Sequence, residues 1–219
     1  MALPDRPGSL GQVARTLGVA GADIVQVVVL ERLGGRAIDD FTVVWPGGAG
    51  VERLRAGLAA MPGVRVDGIW RAIGAPVSGG YDAELLAQVA AKPQAGVSTL
   101  VDAVPRLLAA DWAAVLAVAP DWAVRRNDPT VVCASWQMPA SPRWPEVTPL
   151  RPRALSATDG TRFALIPFGQ AGLVLAVARR AEDDLPVAAF HTTEVDRLAQ
   201  LVRAATIMLG SLKVLVTAP

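Results

Sequence analysis

The chain has one cysteine, one histidine and one tyrosine in 219 residues. A lone Cys133 excludes an internal disulfide, and zinc or redox chemistry loses its usual ligands with it. His191 has no recognisable serine or cysteine partner, and neither a Ser-centred nucleophile elbow nor a phosphate loop occurs. Catalysis would have to use carboxylates whose pairing the sequence does not reveal, so the chain reads as no enzyme, and no motif implies a cofactor. Charge of one sign is not in excess either. With 21 Lys and Arg against 20 Asp and Glu, the formal net charge is +1, and no long-range field draws the chain to nucleic acid or to an anionic membrane. No apolar run reaches the ~18–20 uncharged residues of a membrane helix, because Asp111, Asp121 and Arg125 interrupt the best candidate. The opening Met1 to Asp5 has neither the basic nor the apolar region of a signal peptide, so the expected location is the cytoplasm.

What is present is ample material for a core: 52% of the residues are hydrophobic and 19% charged, too apolar a balance for a disordered chain. At ~100–200 residues per domain the length allows one large domain or two small ones. Along the first part, Pro7 and Gly8 turn the chain, and Ser9 with Gln12 has the pattern of a capping box opening a helix. Leu10, Val13, Ala14 and Leu17 then lie on one helical face, which ends near Gly18 and Gly21. Ile24 to Glu31 and Ile38 to Trp45 are strand-forming runs joined by Gly34 and Gly35, which predicts a hairpin. The run Pro46 to Gly50 breaks it. Val51, Leu54, Arg55 and Leu58 predict a second helix, Pro62 and Gly63 stop it, and the alternation over Val64 to Arg71 predicts a strand.

With a strand added in front, this order is βαββαβ, an α+β, ferredoxin-like layer of helices on an antiparallel sheet. Asp5, Arg6, Pro7, Gly8, Ser9 and Leu10, together with Gly21, Ala22, Asp23 and Ile24, resemble two stretches of the ACT domain, a small regulatory module that binds amino acids. The first six stand where that family has the loop from its first strand to its first helix, and the other four where its second strand begins. The resemblance covers about residues 2–75 and implies a free amino acid as ligand, held between this loop and a neighbouring subunit, and hence a homodimer. Backbone amides at the start of the helix would meet a carboxylate. Gly8 permits close approach, Asp5 and Asp23 would flank the ligand and accept from its ammonium, and Arg6 would add an anchor for an anionic group. The same residues also suit structural roles, Asp5 completing a turn, Gly8 serving backbone geometry and Asp23 starting a solvated strand.

The first strand of that fold is nearly missing, since almost nothing precedes Pro4 and only Ala2 and Leu3 trace a strand. Either a start codon is placed too late, or Leu212 to Thr217, a strand-like run near the C-terminus, fills the gap from this chain or a partner. The expected boundaries are an ACT-like domain over 1–74, a linker over 75–82 rich in Pro, Gly and Ser, and a second domain over 83–219. In the second, helices are expected from Leu85 to Pro93, over Val97 to Leu108 with a kink at Pro105, and from Thr192 onward. Strands are expected over Trp112 to Ala119, Thr130 to Gln137 around a buried Cys133, Phe163 to Phe168 and Leu173 to Ala178, with an irregular loop from Met138 to Pro152.

Phe163 to Phe168, Leu173 to Val177 and Phe190 to Glu194 are similar to the core strand, the following strand and the opening of the last helix of GAF domains, small-molecule sensors with a central antiparallel sheet. No GAF ligand is implied. His191 is expected to cap or lie at the surface, the six tryptophans to serve core and interface, with Trp136 and Trp144 flanking the irregular loop, and the arginine pairs at 125–126 and 179–180 to stay in solvent. The whole chain reads as a non-catalytic sensor, with a structural or interaction protein that has lost its ligands, and docks a partner protein, as the rival.

Overall fold

The computed structural model describes residues 1–45, 50–72, 81–119, 128–168, 172–180 and 187–210. The chain is α+β and divides into two compact units, Met1–Trp70 and Arg71–Pro219. The first contains β1 (Ala2–Pro4), α1 (Ser9–Val19), β2 (Asp23–Leu33), β3 (Arg36–Val44) and α2 (Val51–Ala59), with an antiparallel sheet in the order β1-β3-β2. Gly34 and Gly35 both have positive φ, 60° and 74°, the backbone that a two-residue turn between twisted strands requires. Val13 and Leu17 of α1 and Leu54 and Leu58 of α2 are buried against Leu3, with Phe41 and Val43 of β3 packed on the same cluster. That apolar spacing on each helix is what turns one face to the sheet.

Three sequence expectations change here. Helix α1 has no capping box: Gly8 is the N-cap, at φ 90°, no side chain caps the helix, and Ser9 is its buried first residue. The first strand is present with three residues and lies between β3 and a single bridge to Arg65. Ala2 pairs with Ile38 on one side and bridges Arg65 on the other, through bonds of 2.8 Å from Ala2 N to Arg65 O and 2.9 Å from Arg65 N to Ala2 O. The strand expected over Val64 to Arg71 reduces to that one bridge. Among the described residues its partner is a strand three residues long that ends in Pro4, which has no N–H to extend a ladder, although Val64 and Val66 still pack on the core. The C-terminal run over 212–217, most of the expected linker, the Gly-rich break after Trp45 and the 125–126 arginine pair lie outside the described residues.

The second unit contains α3 (Asp82–Ala91), a 3-10 turn (Pro93–Ala95), α4 (Gly96–Leu107), β4 (Trp112–Ala117), β5 (Thr130–Ala134), β6 (Arg153–Ser156), β7 (Arg162–Phe168), β8 (Leu173–Arg179) and α5 (Thr192–Leu209). Its sheet is antiparallel in the order β5-β4-β8-β7-β6. Both faces are covered, so β8 is buried at every residue. On one face Leu100 and Val101 of α4 and Leu198 and Val202 of α5 cluster with Val115, Ile166 and Leu175. On the other, Trp112 meets Trp144 and Phe163 edge-on, each at 5.7 Å between centroids, a favoured arrangement of aromatic rings. Trp144 and the buried Val147 belong to the irregular loop, which therefore serves as the second cover of the sheet. Pro105 falls in the last turn of α4, which ends two residues later.

Cys133 is half-buried rather than buried, because β5 is an edge strand whose Val131 reaches solvent. Strand β6 was hidden behind the irregular loop in the sequence. Arg179 is the larger departure, with only 1% exposure. Its guanidinium donates to Leu108 O, to Ala109 O at 3.2 Å and to Glu194 Oε1 at 2.5 Å, and stacks 4.0 Å over the ring of Phe190. Glu194 in turn accepts from the backbone N–H of His191, the N-cap of α5, at 2.8 Å. One buried cation thus satisfies carbonyls at the end of α4 and the carboxylate at the start of α5.

Candidate functional site

The loop between β1 and α1 lines a hollow of about 340 Å³. All six residues from Asp5 to Leu10 contribute, and so do Leu3, Val29, Arg32, Ala37 and Asp39. The turn is set by Gly8 in the left-handed region, with Ser9 N donating to Arg6 O at 3.3 Å and Gln12 N to Gly8 O at 3.1 Å. It is anchored to the hairpin by Asp5 N donating to Gly35 O at 2.8 Å. The hollow therefore lies at the N-terminus of an eleven-residue helix, where the first backbone N–H groups have no partner within the helix and the dipole favours an anion.

Asp39 is the unusual wall. It belongs to the alternating set Ala37, Asp39, Phe41 and Val43 that turns from β3 toward the helices, it is 1% exposed, and its Oδ1 is enclosed with no hydrogen-bond partner. Burial raises its pKa above the ordinary carboxylate value, opposed by the N-terminal ammonium and Arg32 and reinforced by Asp5. The N-terminal ammonium donates to the backbone oxygen of Asp39, at 2.7 Å, and not to its carboxylate. At the mouth, Arg32 and Asp5 form a loose ion pair at 3.9 Å between partly exposed side chains, a weak contact in solvent.

The four remaining candidates are elsewhere. Gly21 and Ala22 precede β2 and Asp23 and Ile24 begin it at its far end, where Asp23 pairs with Val44, whereas the Asp5 loop meets the Leu33 end. At ~3.3 Å per residue the nine steps from Asp23 to Arg32 span roughly 25–30 Å. Within one protomer Asp5 and Asp23 do not form a clamp. Gly21 and Ala22 instead end α1: Gly21 N donates to Gly18 O at 3.0 Å and Ala22 N to Leu17 O at 2.9 Å, with Gly21 at φ 88°. This is the paired bonding of a glycine C-cap.

Sequence reasoning missed Asp39, Arg32 and Val29. Asp39 carried a readable signal, an acid at a core-facing position of an otherwise apolar alternation. Among the described residues no three His, Cys, Asp or Glu side chains are grouped to hold a metal ion, and no helix is long and apolar enough to cross a membrane. No model of a known protein family matches the chain, and no curated protein matches it in sequence.

Proposed function

We propose that this protein is a non-catalytic, cytoplasmic regulatory sensor that binds a free α-amino acid in the hollow between β1 and α1, with the GAF-like second unit as a further sensory or dimerisation module. The observation that carries the reading is the pairing of opposite preferences in one small hollow. A helix N-terminus suits a carboxylate, and the Asp39 carboxylate, whose enclosed Oδ1 has no hydrogen-bond partner, suits an ammonium. Leu3, Pro7, Leu10, Val29 and Ala37 leave an apolar path for a side chain.

A homodimer fits the same reading. Strand β2 is an eleven-residue edge, and Val25, Val27, Val28 and Val29 are exposed along it. Antiparallel pairing of two such edges about Val28 would set Asp23 of one protomer near Leu33 of the other. That brings the Gly21–Ile24 stretch of the partner subunit to the Asp5–Leu10 loop, so the two halves of the ACT-like pattern meet across the interface. A ligand bound there would couple occupancy to dimer geometry.

The test is a thermal-shift screen of the full chain with the twenty amino acids. A ligand that binds only the folded state raises Tm, so a stereoselective rise is expected, lost in Gly8→Val and kept in Trp136→Ala of the second unit. No rise across the panel at millimolar concentration overturns the reading. The exposed valine edge then favours the rival, an interaction protein whose β2 accepts a strand of a partner protein.

A further inference from the structure

We infer that this hollow reads the amino group itself: Asp39 makes it accept an α-amino acid and reject the 2-oxo acid of the same carbon skeleton. The inference rests on the amino-acid reading above and adds the residue that decides between ligands of equal size and equal carboxylate. The helix N-terminus cannot make that distinction, since amino, hydroxy and oxo acids all present the same carboxylate to it.

Asp39 can. Ionised, a carboxylate only accepts hydrogen bonds, and Oδ1 of Asp39 has no donor in the free protein. An α-ammonium supplies donors together with a positive charge, the strongest form of such a bond. A 2-hydroxy acid supplies one neutral donor. A 2-oxo acid supplies none and brings its carbonyl oxygen against the carboxylate, leaving two acceptors facing each other in an enclosed place. The order amino, then hydroxy, then oxo follows. Asp5 does not share this role, because it is partly exposed at the mouth beside Arg32. The charged groups acting on Asp39 are that pair and the N-terminal ammonium; the ammonium hydrogen-bonds to the Asp39 backbone, and Oδ1 keeps no hydrogen-bond partner.

The experiment is calorimetric titration of the full chain with three matched sets: L-alanine, L-lactate and pyruvate; L-valine, its 2-hydroxy acid and 3-methyl-2-oxobutanoate; L-phenylalanine, phenyllactate and phenylpyruvate. For whichever amino acid binds, the 2-oxo acid is expected to bind at least about 10-fold more weakly, with the hydroxy acid between them. Asp39→Asn, whose amide can donate to a carbonyl, is expected to compress or invert that ratio, and Asp5→Asn to leave it within about 3-fold. Far-UV circular dichroism checks that each variant is folded, and the ranking on the unaltered protein needs no variant. Equal binding of amino and oxo acids, or a preference that survives Asp39→Asn, overturns this inference and leaves amino-acid binding standing. Where the thermal-shift panel selects another amino acid, its own 2-hydroxy and 2-oxo acids form a fourth set; binding of oxo acids alone, or of nothing in the sets and the panel, overturns both.

Discussion

Asp39 and Val29 stand opposite each other in the β2–β3 ladder, yet Asp39 is 1% exposed and Val29 44% exposed. Both line the same hollow. Strand β3 is covered by the helices, while the edge strand runs past their cover. An enclosed carboxylate therefore lies one strand away from the exposed edge, where burial makes its charge costly.

That position has a cost in the free protein. Because burial raises the Asp39 pKa above its ordinary 3.8, the folded state holds its proton more tightly than the unfolded state. Stability is therefore lost as pH rises from about 3.8 through the raised value, and the loss persists at neutral pH. Asp39→Asn is expected to raise stability by about 1 kcal/mol at pH 7 and to change it little near pH 3.5. Urea denaturation of both proteins across that range checks it; a variant less stable at pH 7 would contradict the account of a carboxylate whose burial outweighs its neighbouring cations.

Two glycines are required for different reasons. A side chain at Gly8 meets no atom within 4 Å, so only its φ of 90° opposes substitution, whereas a Cβ at Gly63, at φ 77°, comes within 2.9 Å of the Pro4 ring. Gly8→Ala is expected to cost about 1–2 kcal/mol, and Gly63→Ala more, because β1 must also give way. Thermal denaturation of the pair is the measurement, with equal losses as the result that refutes the steric argument.

The buried ion pair predicts a non-additive pattern. Arg179→Met leaves the Glu194 carboxylate without its cation and the Leu108 and Ala109 carbonyls without their donor, a change worth roughly 3–5 kcal/mol. The double variant Arg179→Met, Glu194→Leu removes both charges and is expected to recover part of that loss. A double-mutant cycle by chemical denaturation reads the coupling, and strict additivity would show that the two side chains act independently.

The open edge predicts an assembly. Val28→Lys puts a charge in the middle of β2, where its side chain is already exposed, so the fold is expected to tolerate it while strand-to-strand association is not. Light scattering after size exclusion is expected to give a dimer for the unaltered chain and a monomer for the variant. A monomer in both cases removes the homodimer from the proposal.

Local chemistry was the most legible part of the structure. The hairpin followed from two glycines between β-branched runs, and α1, α2 and α5 from apolar residues at helical spacing. Strands β7 and β8 were visible because each is a short apolar run, and Pro62–Gly63 and Gly21 ended helices as their backbone preferences require. The loop Asp5–Leu10 was also found from sequence, since a turn followed by a helix start is a local pattern. Less visible were β6, which has four residues beyond an irregular stretch, and the single-bridge remnant at Arg65, whose length depends on how much of β1 is there to pair with.

The sequence alone determined the α+β class, the hairpin, the helix faces and the Asp5–Leu10 turn, because each depends on residues within one or two turns of one another. Tertiary structure decided the rest. It buried Arg179 by bringing two helix ends to its guanidinium, separated Asp23 from Asp5 by the length of β2, and set Asp39 into the wall of the hollow. Those outcomes depend on which strand lies beside which and on how far the helices cover the sheet, and no local spacing of residues encodes either.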